Sequence, residues 1–203
     1  MVLLQFLGGV LGFLAHICLI FLIIKCGKKK EKDDQSFASW ILAGIIDLVV
    51  AVATINANGN FYLPLFYFLG SLSIALTLLS KKQSHWEPWD TVVLFLVFIC
   101  LIIWWNTGDT TAIIAGAVTS VISFIPQIIK TAKTKKTTDW LNWLGYLFFL
   151  FADFLSLRGG EDNSAKERGY GYAEGILSII MLCLFLYNFL YKNKNGKLNA
   201  DFK

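Results

Sequence analysis

Residues 123–143 read SFIPQIIKTAKTKKTTDWLNW. The apolar end of one helix, carrying Pro126 and Gln127, runs into a loop with four lysines, Lys130, Lys133, Lys135 and Lys136. A new apolar segment starts directly after Asp139, with Trp140 and Trp143 in its first turns. The stretch is therefore a hairpin of two apolar helices with a basic tip. Proline at position 126 removes one backbone donor about one turn before the loop, so the first arm is expected to bend there.

Working outward, the whole chain has the same character. Its 203 residues are 56% hydrophobic and 16% charged, with a mean hydropathy of +0.61. A soluble domain of this size has no interior large enough for that much apolar surface, so the composition is that of a membrane protein. The 7 tryptophans and 17 phenylalanines fit lipid-facing and interfacial surfaces. Cys18, Cys26, Cys100 and Cys183 lie in or beside apolar segments without paired spacing, which reads as buried thiols and indicates neither a zinc site nor a disulfide framework. The apolar run 2–24 has no basic leader and is about long enough to cross the hydrocarbon layer, so it is read as a retained first helix.

Seven such runs can be counted, at 2–24, 37–55, 61–79, 91–105, 111–129, 140–157 and 172–191. Lysines concentrate in alternate breaks: Lys25, Lys28, Lys29, Lys30 and Lys32; Lys81 and Lys82; the four of the central loop; and Lys192, Lys194 and Lys197. The remaining breaks carry Asn58, Asp109 or a balanced mixture around Arg158, Glu161, Lys166 and Arg168. By the positive-inside rule the lysine breaks are cytoplasmic, which puts the amino terminus outside and the carboxyl terminus inside. Trp86, Trp89, Trp104, Trp105, Tyr170 and Tyr191 sit where an interfacial aromatic belt is expected.

Pro126-Gln127 at a hydrophobic helix end, the Lys/Thr loop and the Trp-bearing helix resemble the PQ-loop motif, whose family includes SWEET sugar facilitators and cystinosin-like exporters. The resemblance is sharp over residues 123–143 and architectural elsewhere; no Pro-Gln stands in 20–40, where a first copy of the motif would fall. A weak internal repeat accompanies it: Ile23-Ile24-Lys25, a lysine cluster and Trp40 parallel Ile128-Ile129-Lys130, a lysine cluster and Trp143, with Asp47 and Asp153 in corresponding helices. The expected fold class is all-α integral membrane, with two parallel three-helix-bundle repeats joined by a linker helix. The units are 1–80 and 110–192, with the linker at 91–105 and a cytoplasmic tail at 193–203. In the family the proline position acts as a hinge or gate, with the glutamine near the permeation path; here these are Pro126 and Gln127.

Helical spacing identifies the faces that look inward. Trp40, Ala43, Gly44, Asp47, Ala51 and Thr54 share one face of the second segment; Asn142, Tyr146, Phe149, Asp153 and Ser156 share one of the sixth. Gly116, Thr119, Ser120, Ser123 and Gln127 form the longest polar stripe, on the fifth. The first segment offers Gly9, Gly12 and His16, the third Gly70, Ser73 and Thr77, and the seventh Glu174, Ser178 and Asn188. The fourth offers only Cys100 and is read as the linker. Gly, Ser and Thr in such stripes are ordinary packing residues, Trp40 and Trp143 interfacial anchors, and Glu174 a helix cap. Asp47, Asp153 and His16 are different, because a charge in hydrocarbon costs about 2.5–3.5 kcal/mol on the lenient insertion scale. Asp47 lies about 15 Å and His16 about 13 Å from the lysine end of its helix, both near mid-membrane. They face either a working cavity or a buried structural partner.

The expected function is small-solute transport by alternating access, with proton coupling through His16, Asp47 and Asp153 and with Asn142 and Asn188 along the same pathway. The alternative is a SWEET-fold receptor or sorting protein, like the KDEL receptors, that binds a ligand without moving it. A retinal protein lacks its Schiff-base lysine in 172–191, and an enzyme lacks a nucleophile-base pair, a metal-ligand cluster or a phosphate loop. The partners expected are a small solute, protons, the lipid bilayer and a second copy of the chain in a homo-oligomer. No cofactor, metal or nucleic acid is expected, and the default location is the bacterial inner or plasma membrane.

Overall fold

The computed structural model describes residues 2–28, 35–56, 61–83, 85–107, 109–134, 139–159 and 165–200. Lys29, Lys30, Lys32, Asn58, Lys135, Lys136, Glu161 and residues 201–203 lie outside the described residues. So do the side chains of Lys28, Trp89, Cys100, Asp109, Lys166, Arg168, Lys192, Lys194 and Lys197.

Every described element is a helix: α1 (Val2–Lys28), α2 (Phe37–Asn56), α3 (Tyr62–Ser80), α4 (Pro88–Thr107), α5 (Asp109–Ser123), α6 (Ile125–Thr134), α7 (Trp140–Gly159) and α8 (Ala165–Ala200). Among the described residues seven spans are long and apolar enough to cross a membrane, α5 and α6 counting as one, and they coincide with the seven apolar runs of the sequence. Local chemistry sets several of the starts. Ser36 caps α2 by accepting the Ser39 N–H at 3.3 Å, and Asp139 caps α7 by accepting the Leu141 N–H at 3.1 Å. In α4 Pro88 takes the first position and Asp90 reaches back to accept the Glu87 N–H at 2.7 Å, as in a capping box. The fifth span is interrupted at Phe124, just before Pro126, which cannot donate to the Ile122 carbonyl. By contrast α1, the corresponding helix of the first half, runs unbroken. The last helix begins at Ala165, earlier than hydropathy alone placed it, and continues past the membrane span to Ala200.

Six of the spans close into a ring. Around it α1 packs on α3, α3 on α2, α2 on α5, α5 on α8, α8 on α7 and α7 back on α1. Among the described residues the backbone of α1 does not approach that of α2, nor that of α5 that of α7, so in each half of the chain the last helix lies between the other two. α4 stands outside the ring, mainly against α5. Its outer surface is apolar and open, with Phe95, Phe98 and Trp105 all exposed, while Val93 and Val97, four residues apart, turn inward.

The distribution of polarity is inverted relative to a water-soluble bundle. Phe21, Leu76, Phe151 and Ile176 are exposed on the outside of the ring, whereas His16, Asp47, Asp153, Glu174 and the whole Gly116–Gln127 stripe are buried within it. That arrangement suits a hydrocarbon surrounding, in which polar groups find partners only inside. Two glycines let the inner elements approach closely. A Cβ on Gly70 would lie 2.2 Å from the His16 ring, and one on Gly12 would lie 2.2 Å from the Tyr67 ring, so both side chains reach the interior through gaps that only glycine leaves.

Candidate functional site

Inside the ring lies a small cavity of about 20 Å³. Its polar lining is His16 of α1, Asp47 of α2, Tyr67 and Ser71 of α3, and Glu174 and Ser178 of α8. Trp40, Phe124, Tyr146 and Phe149 supply aromatic walls, and no lysine or arginine among the described residues lines it.

The imidazole sits against three rings, with centroids 4.7 Å from Phe149, 5.6 Å from Tyr67 and 5.6 Å from Trp40. Its Nδ1 donates to the Gly12 carbonyl at 2.7 Å, which orients the ring along its own helix. Its Nε2 meets the Ser71 hydroxyl at 3.3 Å, and the same hydroxyl donates to Asp47 Oδ2 at 3.3 Å. Ser71 therefore bridges α1 and α2, whose backbones stay apart and whose side chains also meet at the His16 and Trp40 rings.

Two tyrosine-carboxylate bonds cross the ring. Tyr170 of α8 donates to Asp47 Oδ1 of α2 at 2.5 Å, and Tyr67 of α3 donates to Asp153 Oδ1 of α7 at 2.7 Å. In each the last helix of one half of the chain holds the middle helix of the other. The pairs differ in their second oxygens. Asp47 Oδ2 receives Ser71, while Asp153 Oδ2 is buried without a hydrogen-bond partner among the described residues. Glu174 sits on α8 where Ser71 sits on α3, one turn beyond the tyrosine, and accepts from Ser120 of α5.

A second polar centre closes the lysine-bearing end of the ring. The Gln127 side chain accepts the Ser36 N–H at 2.6 Å and donates to Thr131 at 3.2 Å, and its backbone N–H donates to Ser39 Oγ at 3.0 Å. Gln35 donates to Asn142 at 3.1 Å, accepts from the Trp40 indole at 3.0 Å, and offers its carbonyl to Lys130. Lys25 pairs with Asp139, and Asn188 donates to the Thr131 carbonyl at 3.1 Å. These contacts fasten the start of α2 to α6 and to the start of α7.

The residues singled out in the sequence thus fall into two groups. His16 and Asp47 line the cavity, and Asp153 stands directly behind Tyr67. Asn142, Asn188, Gln127 and, at the break, Pro126 belong to the fastened end. Several placements differ from expectation. Trp40 is a buried cavity wall and not an interfacial anchor, and Tyr170 is buried beside Asp47 and not in the aromatic belt. Glu174 is no helix cap, since α8 starts at Ala165 and the carboxylate is buried in the cavity. On α3 the inward hydroxyl is Ser71; Ser73 and Thr77 bond their own helix carbonyls at Leu69 and Ser73, both at 2.7 Å. A signal for the tyrosines was present, because both halves place a tyrosine near the start of the last helix and an aspartate on the middle helix.

Helices of membrane length around a buried polar cavity, with the apolar surface outside, define an integral membrane protein of transporter-like build. Residues 110–157, which take in α6 and most of α5 and α7, match the PQ loop repeat family. Over that stretch the chain is similar to the PQ loop repeat, as Pro126-Gln127 and the lysine loop led one to expect. No curated protein and no solved structure matches the chain.

Proposed function

We propose that the protein moves a small solute across its membrane by alternating access, coupled to protons, with the site in the cavity between two three-helix units, 1–80 and 110–192, joined by α4. The observation that carries this reading is the cavity itself: it collects an imidazole and two carboxylates, Asp47 and Glu174, from both halves of the chain, without a lysine or arginine to neutralise them. Ionised carboxylates in a low-dielectric interior are costly, and the groups that offset such a cost are protons or a cationic ligand. The fastened lysine end and the crossed tyrosine bonds supply two sets of breakable contacts on either side of the cavity, as alternation requires. The PQ loop repeat supports the same reading, since it spans the broken fifth span and its hairpin.

In this reading the lysine loops are cytoplasmic and the amino terminus is outside. Asp47 carries the coupled proton, Asp153 is a second acid toward the outer side, and Pro126 is the hinge. A thermal-shift screen against sugars, amino acids and vitamins identifies the solute, because ligands of the folded state raise its apparent stability. Uptake of that solute into liposomes is then measured with and without an imposed pH difference. The pH difference is expected to raise uptake, and Asp47→Asn is expected to bind the solute and lose the response. Equal uptake under both conditions overturns the coupling; binding without uptake overturns transport in favour of a ligand-binding receptor.

A further inference from the structure

From the positions of His16, Ser71 and Asp47 we infer that these three side chains hold one shared proton, with the Ser71 hydroxyl as the relay that makes imidazole and carboxylate titrate as a unit. The inference deepens the proton-coupled reading and rests on it for its physiological use, but the proton count follows from hydrogen-bond geometry alone.

The bonds of the imidazole leave few choices. Nδ1 faces the Gly12 carbonyl at 2.7 Å, and a carbonyl only accepts, so Nδ1 carries a hydrogen in every state of the site. Nε2 is then an acceptor in the neutral ring and a donor in the cation. Among the described residues it faces only the Ser71 hydroxyl, which has a single hydrogen and also faces Asp47 Oδ2, both at 3.3 Å. With neutral His16 and ionised Asp47, that one hydrogen has two acceptors to serve. One of them is then left unmatched in a buried site, at a cost of order 1–3 kcal/mol.

One added proton removes the mismatch, and it does so in two ways. In the first, Asp47 is the acid: its O–H donates to Ser71, and Ser71 donates to Nε2. In the second, His16 is the cation: Nε2–H donates to Ser71, and Ser71 donates to Asp47. Passing from the first to the second moves a hydrogen from Asp47 to Ser71 and another from Ser71 to His16. The serine ends as it began, the total number of protons is unchanged, and the charge is redistributed from a neutral pair to an ion pair. The proton belongs to the unit and to neither residue.

The groups that face this unit come from α2, α7 and α8. Tyr170 donates to Asp47 Oδ1, so that oxygen is matched in both states. Glu174 of α8 lines the same cavity and accepts from Ser120, and Asp153 of α7 is held by Tyr67 one ring away. From α2 and α7 the neighbours of the imidazole are the rings of Trp40 and Phe149, both in edge geometry. The second half of the chain has no such relay. Glu174 occupies the place of Ser71 there, and Asp153 Oδ2 has no donor among the described residues. The hydroxyl relay is thereby confined to the first half, and loss of the shared proton loosens one of the two ties between α1 and α2, leaving the contact of the His16 and Trp40 rings.

Nitrogen-15 NMR of the histidine ring tests this without any solute. The chain has two histidines, and His85 is exposed, so His85→Gln leaves His16 as the single imidazole. The Nε2 resonance is recorded in lipid nanodiscs at neutral pH for the native side chains, for Asp47→Asn, and for each combined with Ser71→Ala or Ser71→Thr. Asp47→Asn is expected to displace the resonance by more than its linewidth. That displacement is expected to vanish with Ser71→Ala and to return with Ser71→Thr, which restores a hydroxyl; filling the space alone does not restore it. Equal displacement in all three backgrounds overturns the relay, because Asp47 then acts on His16 through space. If Ser71→Ala does not fold, Ser71→Cys serves, with most of the displacement expected to be lost. In the liposome assay Ser71→Ala is expected to lose the response to a pH difference. Intact linkage without uptake keeps the relay and sinks transport, whereas intact coupling in Ser71→Ala sinks the relay.

Discussion

At the scale of single residues, Gln127 shows how one side chain ties two halves of a membrane protein together. It is fully buried, and each of its side-chain atoms meets a polar group: the carbonyl oxygen takes the Ser36 N–H that opens α2, and the amide donates to Thr131. Glutamine suits the place because it offers donor and acceptor at once; glutamate would offer no donor for Thr131. Gln127→Leu leaves the Ser36 N–H buried without an acceptor, at a cost of order 1–3 kcal/mol. The expected outcome is a lower unfolding temperature together with faster maleimide labelling of a cysteine placed at Tyr146, a cavity wall, from the lysine side. Unchanged labelling would falsify the view that this centre closes the cavity. Gln35, which belongs to the same centre, was not readable from the sequence, since it stands in a polar break where any residue type is plausible. Ser71 was missed for a related reason. A membrane-helix hydroxyl can satisfy itself on its own i−4 carbonyl, as Ser73 and Thr77 do, so only its neighbours reveal which hydroxyl has another use.

At the scale of elements, most of the fold was readable because hydrocarbon enforces it. Seven apolar runs of bilayer length became seven spans, and the inward faces of α2 and α5 are buried as their helical period required. Period alone does not fix depth or partner, which is why Trp40, Tyr170 and Glu174 were assigned to interfaces and are found in the interior. The break before Pro126 is the clearest case of sequence setting shape. Hydrogen bonds resume on both sides, from Phe124 N–H to Ser120 at 3.2 Å and from Ile128 N–H to Phe124 at 3.0 Å, so the interruption is confined to the residues around the missing donor. Pro126→Ala supplies that donor to the Ile122 carbonyl and straightens the span. Solute flux is expected to fall more than binding weakens, because α6 loses its freedom to swing while the cavity walls stay in place. Binding by thermal shift and flux in liposomes are measured separately; normal flux would make Pro126 a packing residue only.

At the scale of the whole molecule, orientation and alternation both yield to measurement. Lys133, exposed beside the lysine loop, is expected on the cytoplasmic side, so Lys133→Cys in intact cells should resist a membrane-impermeant maleimide added outside. Labelling from outside reverses the topology. The second question is what holds the opposite end of the ring. Tyr67 and Tyr170 each lie near the start of their membrane span, at the ends of α3 and α8 away from the lysines, and each crosses to a carboxylate of the other half. A hydrogen bond to a charged group contributes about 1.5–3 kcal/mol, so losing one is enough to shift a two-state equilibrium by more than tenfold. Tyr67→Phe and Tyr170→Phe keep the ring volume and delete only the bond. Spin labels at Ile55 and Tyr172, both exposed and both at that end, report the separation of α2 from α8. Each variant is expected to lengthen this distance in a larger fraction of molecules, while labels at Lys81 and Lys133 on the lysine end keep theirs. Tyr170→Phe is expected to act more strongly, since Asp47 is also the anchor of Ser71 and through it of α1, whereas the second oxygen of Asp153 holds nothing among the described residues. Equal distance distributions in the parent and both variants would mean that the two tyrosines only satisfy buried acids and that the ring opens elsewhere.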